Sequence, residues 1–253
     1  MPTAKSDAPQ AIVLIGHGSL RGASGAAMIR VAARLRERGV APIAEASFLN
    51  FSRPTLAEAV ERCVAQGAAA ITIQPYFLVA GKYVQHDLPR QLAEQRARHP
   101  QAAFRSAGVF GDHPALAELA LARARGAMPL RAGEPCGLLL LAHGSPLAGA
   151  NAPLERLAER IAASGEYARV ALGYLECNAP SVPEAIDALV GELGQLVALP
   201  YFLQLGRHVA DDLPRLVAQA RARHPRLALA LAPHLGYDPV FADVIAARVA
   251  QAS

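Results

Sequence analysis

The sequence predicts an α/β protein built from two similar domains, each with a parallel sheet, and three observations carry that prediction. Short apolar runs alternate with stretches of helical period, the pattern of strands joined by crossover helices. Gly16-His17-Gly18-Ser19 follows directly on the apolar run Ala11–Ile15, and it returns 126 residues later as Ala142-His143-Gly144-Ser145 after Leu138–Leu141. Three more segments recur at one shared offset of 125 residues. Pro75-Tyr76-Phe77-Leu78 returns as Pro200-Tyr201-Phe202-Leu203, Asp87-Leu88-Pro89-Arg90 as Asp212-Leu213-Pro214-Arg215, and Arg96-Ala97-Arg98-His99-Pro100 as Arg221-Ala222-Arg223-His224-Pro225. Identities at one offset mean internal duplication, and a one-residue deletion between Pro180 and Pro200 accounts for the slip. A chain of 253 residues then divides into two domains of ordinary size, 1–128 and 129–253.

Each element has a local reason. Residues 1–10 are polar, hold two prolines and read as a tail. Ala11–Ile15 is wholly apolar, as a parallel strand covered on both faces must be. After the Gly-His-Gly-Ser turn, Ala26, Met28–Val31 and Leu35 keep a helical period that closes at Gly39. Pro42–Phe48 reads as the second strand. Pro54 opens a helix with Leu56, Ala59, Val60 and Cys63 on one face and Gly67 past its end. Ala68–Gln74 is the third strand, stopped by Pro75, and a loop runs through Tyr83 into a helix from Asp87 to Arg98. Residues 102–109 give a weaker fourth strand, and Asp112-His113-Pro114 starts the helix over 115–126. Gly126–Gly137 is the linker, after which the order repeats.

Composition narrows the function. The chain is 53% hydrophobic and 18% charged, so it can bury a core, and with no Trp that core is aliphatic. A net charge of +4 favours anionic ligands mildly. There is no Lys/Arg run of five and no interleaving of aromatic with basic residues, so nucleic acid is not expected as a partner. Three cysteines without a C-x-x-C argue against a disulfide framework, an iron–sulfur cluster or a zinc knuckle. The first ten residues lack an apolar signal region and no run is long enough to span a bilayer, so a cytoplasmic protein off the membrane is expected.

Ligands of open parallel sheets bind at the carboxyl ends of the strands. In the second half that edge collects His143 after the first strand, Glu176 at the end of the second, and His208 in the loop after the third. Two neutral imidazoles suit a borderline divalent metal, and a carboxylate beside them can ligate or accept protons. The matching residues of the first half are His17, Asn50 and Tyr83. Asn cannot act as a base and Tyr is a poor ligand for a divalent ion, so the second half is the active one and the first a degenerate copy. Ser19 and Ser145 lie at helix starts and could serve as N-caps. Cys177 is expected to point away from Glu176 if the strand continues. A histidine-phosphatase reading is disfavoured, because the Arg expected before such a His is Gly16 in one copy and Ala142 in the other.

The apolar strand into H-G-S, the strand ending in Tyr174-Leu175-Glu176, and P-Y-F-L followed by Gly206-Arg207-His208-Val209 and Asp212-Leu213-Pro214 resemble the class II tetrapyrrole chelatases, the sirohydrochlorin cobaltochelatase and ferrochelatase family, in its fused two-domain form. The resemblance spans nearly the whole chain. It implies two tandem flavodoxin-like domains, each a four-stranded parallel sheet flanked by helices. It implies insertion of cobalt or ferrous iron into sirohydrochlorin, on the way to cobalamin or sirohaem, without a permanently bound cofactor. Nickel insertion and a non-catalytic metal- or tetrapyrrole-binding protein are the alternatives. The metal-binding pair falls on His143 and His208 and the acidic residue on Glu176. Substrate carboxylates would meet Arg207, Lys82, His17 and the turn serines Ser19 and Ser145, with Arg21 and Arg53 as further clamps. Fusion of the halves removes the need to dimerise, so a monomer is expected, with a dimer as the alternative.

Overall fold

The structure is a computed structural model and describes residues 9–18, 25–50, 52–129 and 131–252. In chain order its elements are β1 (Gln10–Gly16), α1 (Ala26–Glu37), β2 (Ile43–Phe48), α2 (Leu56–Ala65), β3 (Ala70–Pro75), α3 (Leu88–Arg98), β4 (Ala103–Ser106) and α4 (Pro114–Arg125). Then follow β5 (Cys136–Ala142), α5 (Ala152–Ala162), β6 (Arg169–Tyr174), α6 (Val182–Leu189), β7 (Gln195–Pro200), α7 (Leu213–Arg223), β8 (Ala228–Leu231) and α8 (Val240–Ala250). All eight strands expected from the sequence are present.

The two sheets have the same topology, β2-β1-β3-β4 and β6-β5-β7-β8, and every pairing is parallel. These are two tandem flavodoxin-like, doubly wound sheets. Their compact units differ from the expected division at 128/129: the first is Met1–Phe110 with Tyr237–Ser253, the second Gly111–Gly236. The helix that ends each sequence copy therefore counts with the other copy's sheet. Within the first unit α8 packs on α1 and β3, and within the second α4 packs on α5 and β7.

Side-chain alternation explains why central strands read as unbroken apolar runs. In the first unit Val13, Ile15, Ile71 and Ile73 share one core cluster with Leu56 and Val60 of α2 and Leu88 and Leu92 of α3. Ile12 and Leu14 point to the opposite face and are buried as well. The second unit repeats this, with Leu139, Leu141 and Leu196 against α6 and α7. Leu138 through Leu141 are each 0% exposed, and each such leucine stabilises the fold by roughly 2 kcal/mol through burial. The tyrosines of the P-Y-F-L motif belong to this scaffold. Tyr76 packs edge-on against Phe110 at 5.0 Å, and Tyr201 is buried. Burial pushes both phenols well above their usual range.

The cysteines separate cleanly. Cys63 and Cys136 are buried and Cys177 is exposed. Burial pushes the Cys63 thiol up to about 12 and raises that of Cys136. One thiol per native chain should react with an aromatic disulfide reagent at pH 8, and all three after denaturation. Three equal fast reactions in the native protein would contradict this burial.

Candidate metal centre

The sheet edge at the ends of β5, β6 and β7 brings the three sequence-selected residues together. Ligand atoms of His143, Glu176 and His208 all lie within 4.8 Å of one another, and among the described residues this is the one such group of His, Cys, Asp or Glu. His143 Nε2 is 3.9 Å from Glu176 Oε2, and the two imidazole rings are 5.0 Å apart at 81°. Donors around one ion at about 2.1 Å stand roughly 3.0–3.4 Å from one another. Small rotations close the remaining gap, and the side chains have room for them: His143 is 46% and Glu176 52% exposed, His208 27%.

The backbone sets this arrangement. The β5–β6 ladder runs on past both strands, Leu175 N–H donating to Ala142 O and Glu176 N–H to His143 O, at 3.0 Å each. His143 and Glu176 are therefore neighbours across a continuing sheet edge. The turn after His143 depends on Gly144 with φ +91°, where a Cβ atom would meet Glu176 O at 2.2 Å. After Glu176 the strand does not continue. Cys177 takes a left-handed conformation, φ +64°, so the expected strand alternation does not set its direction. His208 is not in a loop. It opens a π-helical turn, His208–Asp212, that leads directly into α7. Its Nδ1 lies 2.9 Å from Asp212 Oδ2, while Nδ1 of His143 faces Gly144 O at 3.3 Å. Both rings thus have Nδ1 beside an acceptor and Nε2 left for a ligand role.

An open cleft of about 280 Å³ adjoins the site, lined by Glu176, Arg207, His208, Asp212 and Arg215 with apolar Leu175, Val182 and Leu216. The Arg207 side chain is 72% exposed and its Nε lies 3.5 Å from Asp212. Ser145 is not an N-cap. Asn151 precedes α5, and Ser145 is 5% exposed, with its hydroxyl accepting from Leu147 N–H and its own N–H donating to Asn178 Oδ1. It holds the turn rather than presenting a hydroxyl outward. Ser19 and Arg21 lie outside the described residues. Lys82 is exposed beside the matching π-helical turn Tyr83–Asp87, and Arg53 pairs with Glu58 at 2.8 Å. His17 sits edge-on to Tyr83 at 4.4 Å. His234 is half-buried and stands outside the three-residue group. Burial, and next Arg123, lower its imidazole below the usual range. Asp212 and Arg215 were missed by sequence reasoning, although the repeated Asp-Leu-Pro-Arg segment was the signal for both.

Fold and site define a class: a duplicated, doubly wound α/β protein with a His/Glu/His group that could hold a metal ion at the carboxyl edge of its second sheet. The chain belongs to the CbiX family, whose model matches it twice, over residues 11–127 and 137–252. It is 25% identical over 251 residues to a sirohydrochlorin ferrochelatase of Priestia megaterium, covering 98% of this chain and 92% of that one. It is 24% identical over 243 residues to a sirohydrochlorin cobaltochelatase of the same organism, covering 94% and 78%. Among solved structures, SirB from Bacillus subtilis with Fe3+ superposes with a TM-score of 0.84 at 22% identity, over 96% of this chain and 95% of that one, which bears on the fold. No helix among the described residues is long and apolar enough to cross a membrane.

Proposed function

We propose that the chain inserts a divalent metal ion, cobalt or ferrous iron, into sirohydrochlorin. The observation that carries the reading is the convergence of His143, Glu176 and His208 within 4.8 Å on an accessible edge. Family membership and the names of the two Priestia relatives support it. Metallation takes two protons from the pyrrolic nitrogens as the ion enters, so macrocycle plus M2+ gives metallated macrocycle plus two H+. His143 and His208 hold the ion through Nε2 and leave positions open for ring nitrogens. Glu176, half-exposed beside them, accepts a proton. Arg207 meets a substrate carboxylate at the rim of the same cleft. In the first unit, His17 and Lys82 are the substrate contacts this reading assigns. The protein works in the cytoplasm as a monomer, with sirohydrochlorin and the ion as its partners.

The test is turnover. Pure protein with sirohydrochlorin and Co2+ or, without oxygen, Fe2+ should change the absorbance at least about tenfold faster than the same mixture without protein. Tight binding of ion or macrocycle without that acceleration would leave a carrier in place of an enzyme. Nickel in a third arm shows whether the site discriminates among ions that its ligand set suits alike.

A further inference from the structure

We propose that Asp212 is a positioning residue that sets the tautomer and orientation of His208. The proposal rests on the metal-site reading of His143, Glu176 and His208. Asp212 is four residues beyond His208 at the end of the same π-helical turn, and its Oδ2 is 2.9 Å from His208 Nδ1. An ionised carboxylate oxygen can only accept in that contact, so in the neutral ring the proton sits on Nδ1 and the Nε2 lone pair is free for a metal ion. The pair is partly shielded, with side chains 27% and 23% exposed. Asp212 is itself held from two sides, by Arg207 Nε at 3.5 Å and an Arg215 guanidinium nitrogen at 3.8 Å. The carboxylate thus faces the imidazole with two guanidinium groups beside it. His143 gets the same treatment from the backbone, through Gly144 O at 3.3 Å. The two rings therefore present the same nitrogen, one oriented by a main-chain carbonyl and one by Asp212.

The first unit supplies an internal control. Asp87 occupies the position of Asp212, but Tyr83 stands where His208 does, so the Asp there has no imidazole four residues before it.

The test uses the full chain, Co2+ alone and no tetrapyrrole. Co2+ affinity is read from the visible bands of the bound ion, and the tautomer of His208 from ring-nitrogen NMR at mildly alkaline pH, where a histidine is ordinarily neutral. In the wild type His208 should be the Nδ1–H tautomer. D212L should shift it toward Nε2–H and weaken Co2+ about 10- to 100-fold, the usual cost of losing such a partner. D212N keeps an acceptor oxygen, so it should retain the tautomer and stay within about tenfold of the wild type. D87N should leave both readouts unchanged. A wild-type His208 in the Nε2–H form overturns the proposal without any variant. So does a folded D212L that keeps the Nδ1–H signature and wild-type Co2+ affinity. H143A separates the two levels of inference. If H143A binds Co2+ as the wild type does, the metal site is wrong and the proposal falls with it. If H143A loses the ion and D212L does not, Asp212 alone is wrong.

Discussion

His143→Ala and His208→Ala should each weaken Co2+ binding by at least about a hundredfold, or roughly 2.7 kcal/mol, and abolish metal insertion at micromolar metal. The three residues come from three different segments of the chain, and the exposed Glu176 carboxylate keeps little hold on a hydrated ion once either imidazole is gone. Removing one imidazole should therefore cost more than a third of the site. The first-half residues set the contrast. Tyr83→Phe should be mild, because Tyr83 offers no ligand of comparable strength and its ring contact with His17 survives the change. His17→Ala should leave Co2+ affinity unchanged and reduce insertion only through substrate contact. Anaerobic Co2+ titration and the absorbance assay, run on the same four variants, check this. If His17→Ala abolishes insertion and His208→Ala does not, the working half has been misassigned.

The asymmetry between the copies was legible in the sequence because duplication provides its own reference. An identical segment at a fixed offset shows where Asn50 replaces Glu176 and Tyr83 replaces His208. The strands were legible for a related reason: burial on both faces removes polar residues, so Ala11–Ile15 and Leu138–Leu141 announce themselves. Several features left no such trace. A helix such as α4 shows that it has an apolar side, but not which sheet will cover it, so the compact units could not be cut from the sequence. The π-helical turn at His208–Asp212 has no composition of its own, and without it the 2.9 Å contact between those two side chains is invisible. The serine of His-Gly-Ser resembled a cap or an anion-binding group, whereas the helix begins only at Ala152 and Ser145 is spent on the turn.

Gly144→Ala should destabilise the protein by on the order of 2–4 kcal/mol and remove its Co2+ site together with that stability. Two costs combine. Gly144 has φ +91°, outside the conformations an L-residue takes easily. A Cβ there would also stand 2.2 Å from Glu176 O and 2.6 Å from Asn178 Oδ1, distances no relaxation of a flexible tip can absorb, since the first atom is backbone. Glu176 must move away, and the bond from its N–H to His143 O, which sets the two residues side by side, must stretch. Two other glycines separate the costs. Gly149 has φ +73° and a Cβ added there would meet nothing within 4 Å, so Gly149→Ala measures the backbone strain alone, about 1–2 kcal/mol. Gly18 has φ +82° and its Cβ would lie 1.7 Å from Asn50 O, so Gly18→Ala carries both costs outside the unit that holds His143, Glu176 and His208. Gly18→Ala should thus destabilise at least as much as Gly144→Ala yet keep wild-type Co2+ affinity below its melting temperature. Thermal unfolding, at roughly 2–4 °C per kcal/mol for a chain of this size, and Co2+ titration at about 10 °C give both readouts. Wild-type Co2+ affinity in Gly144→Ala, with a stability loss no larger than that of Gly149→Ala, would mean that the His-Gly-Ser turn does not set the position of Glu176.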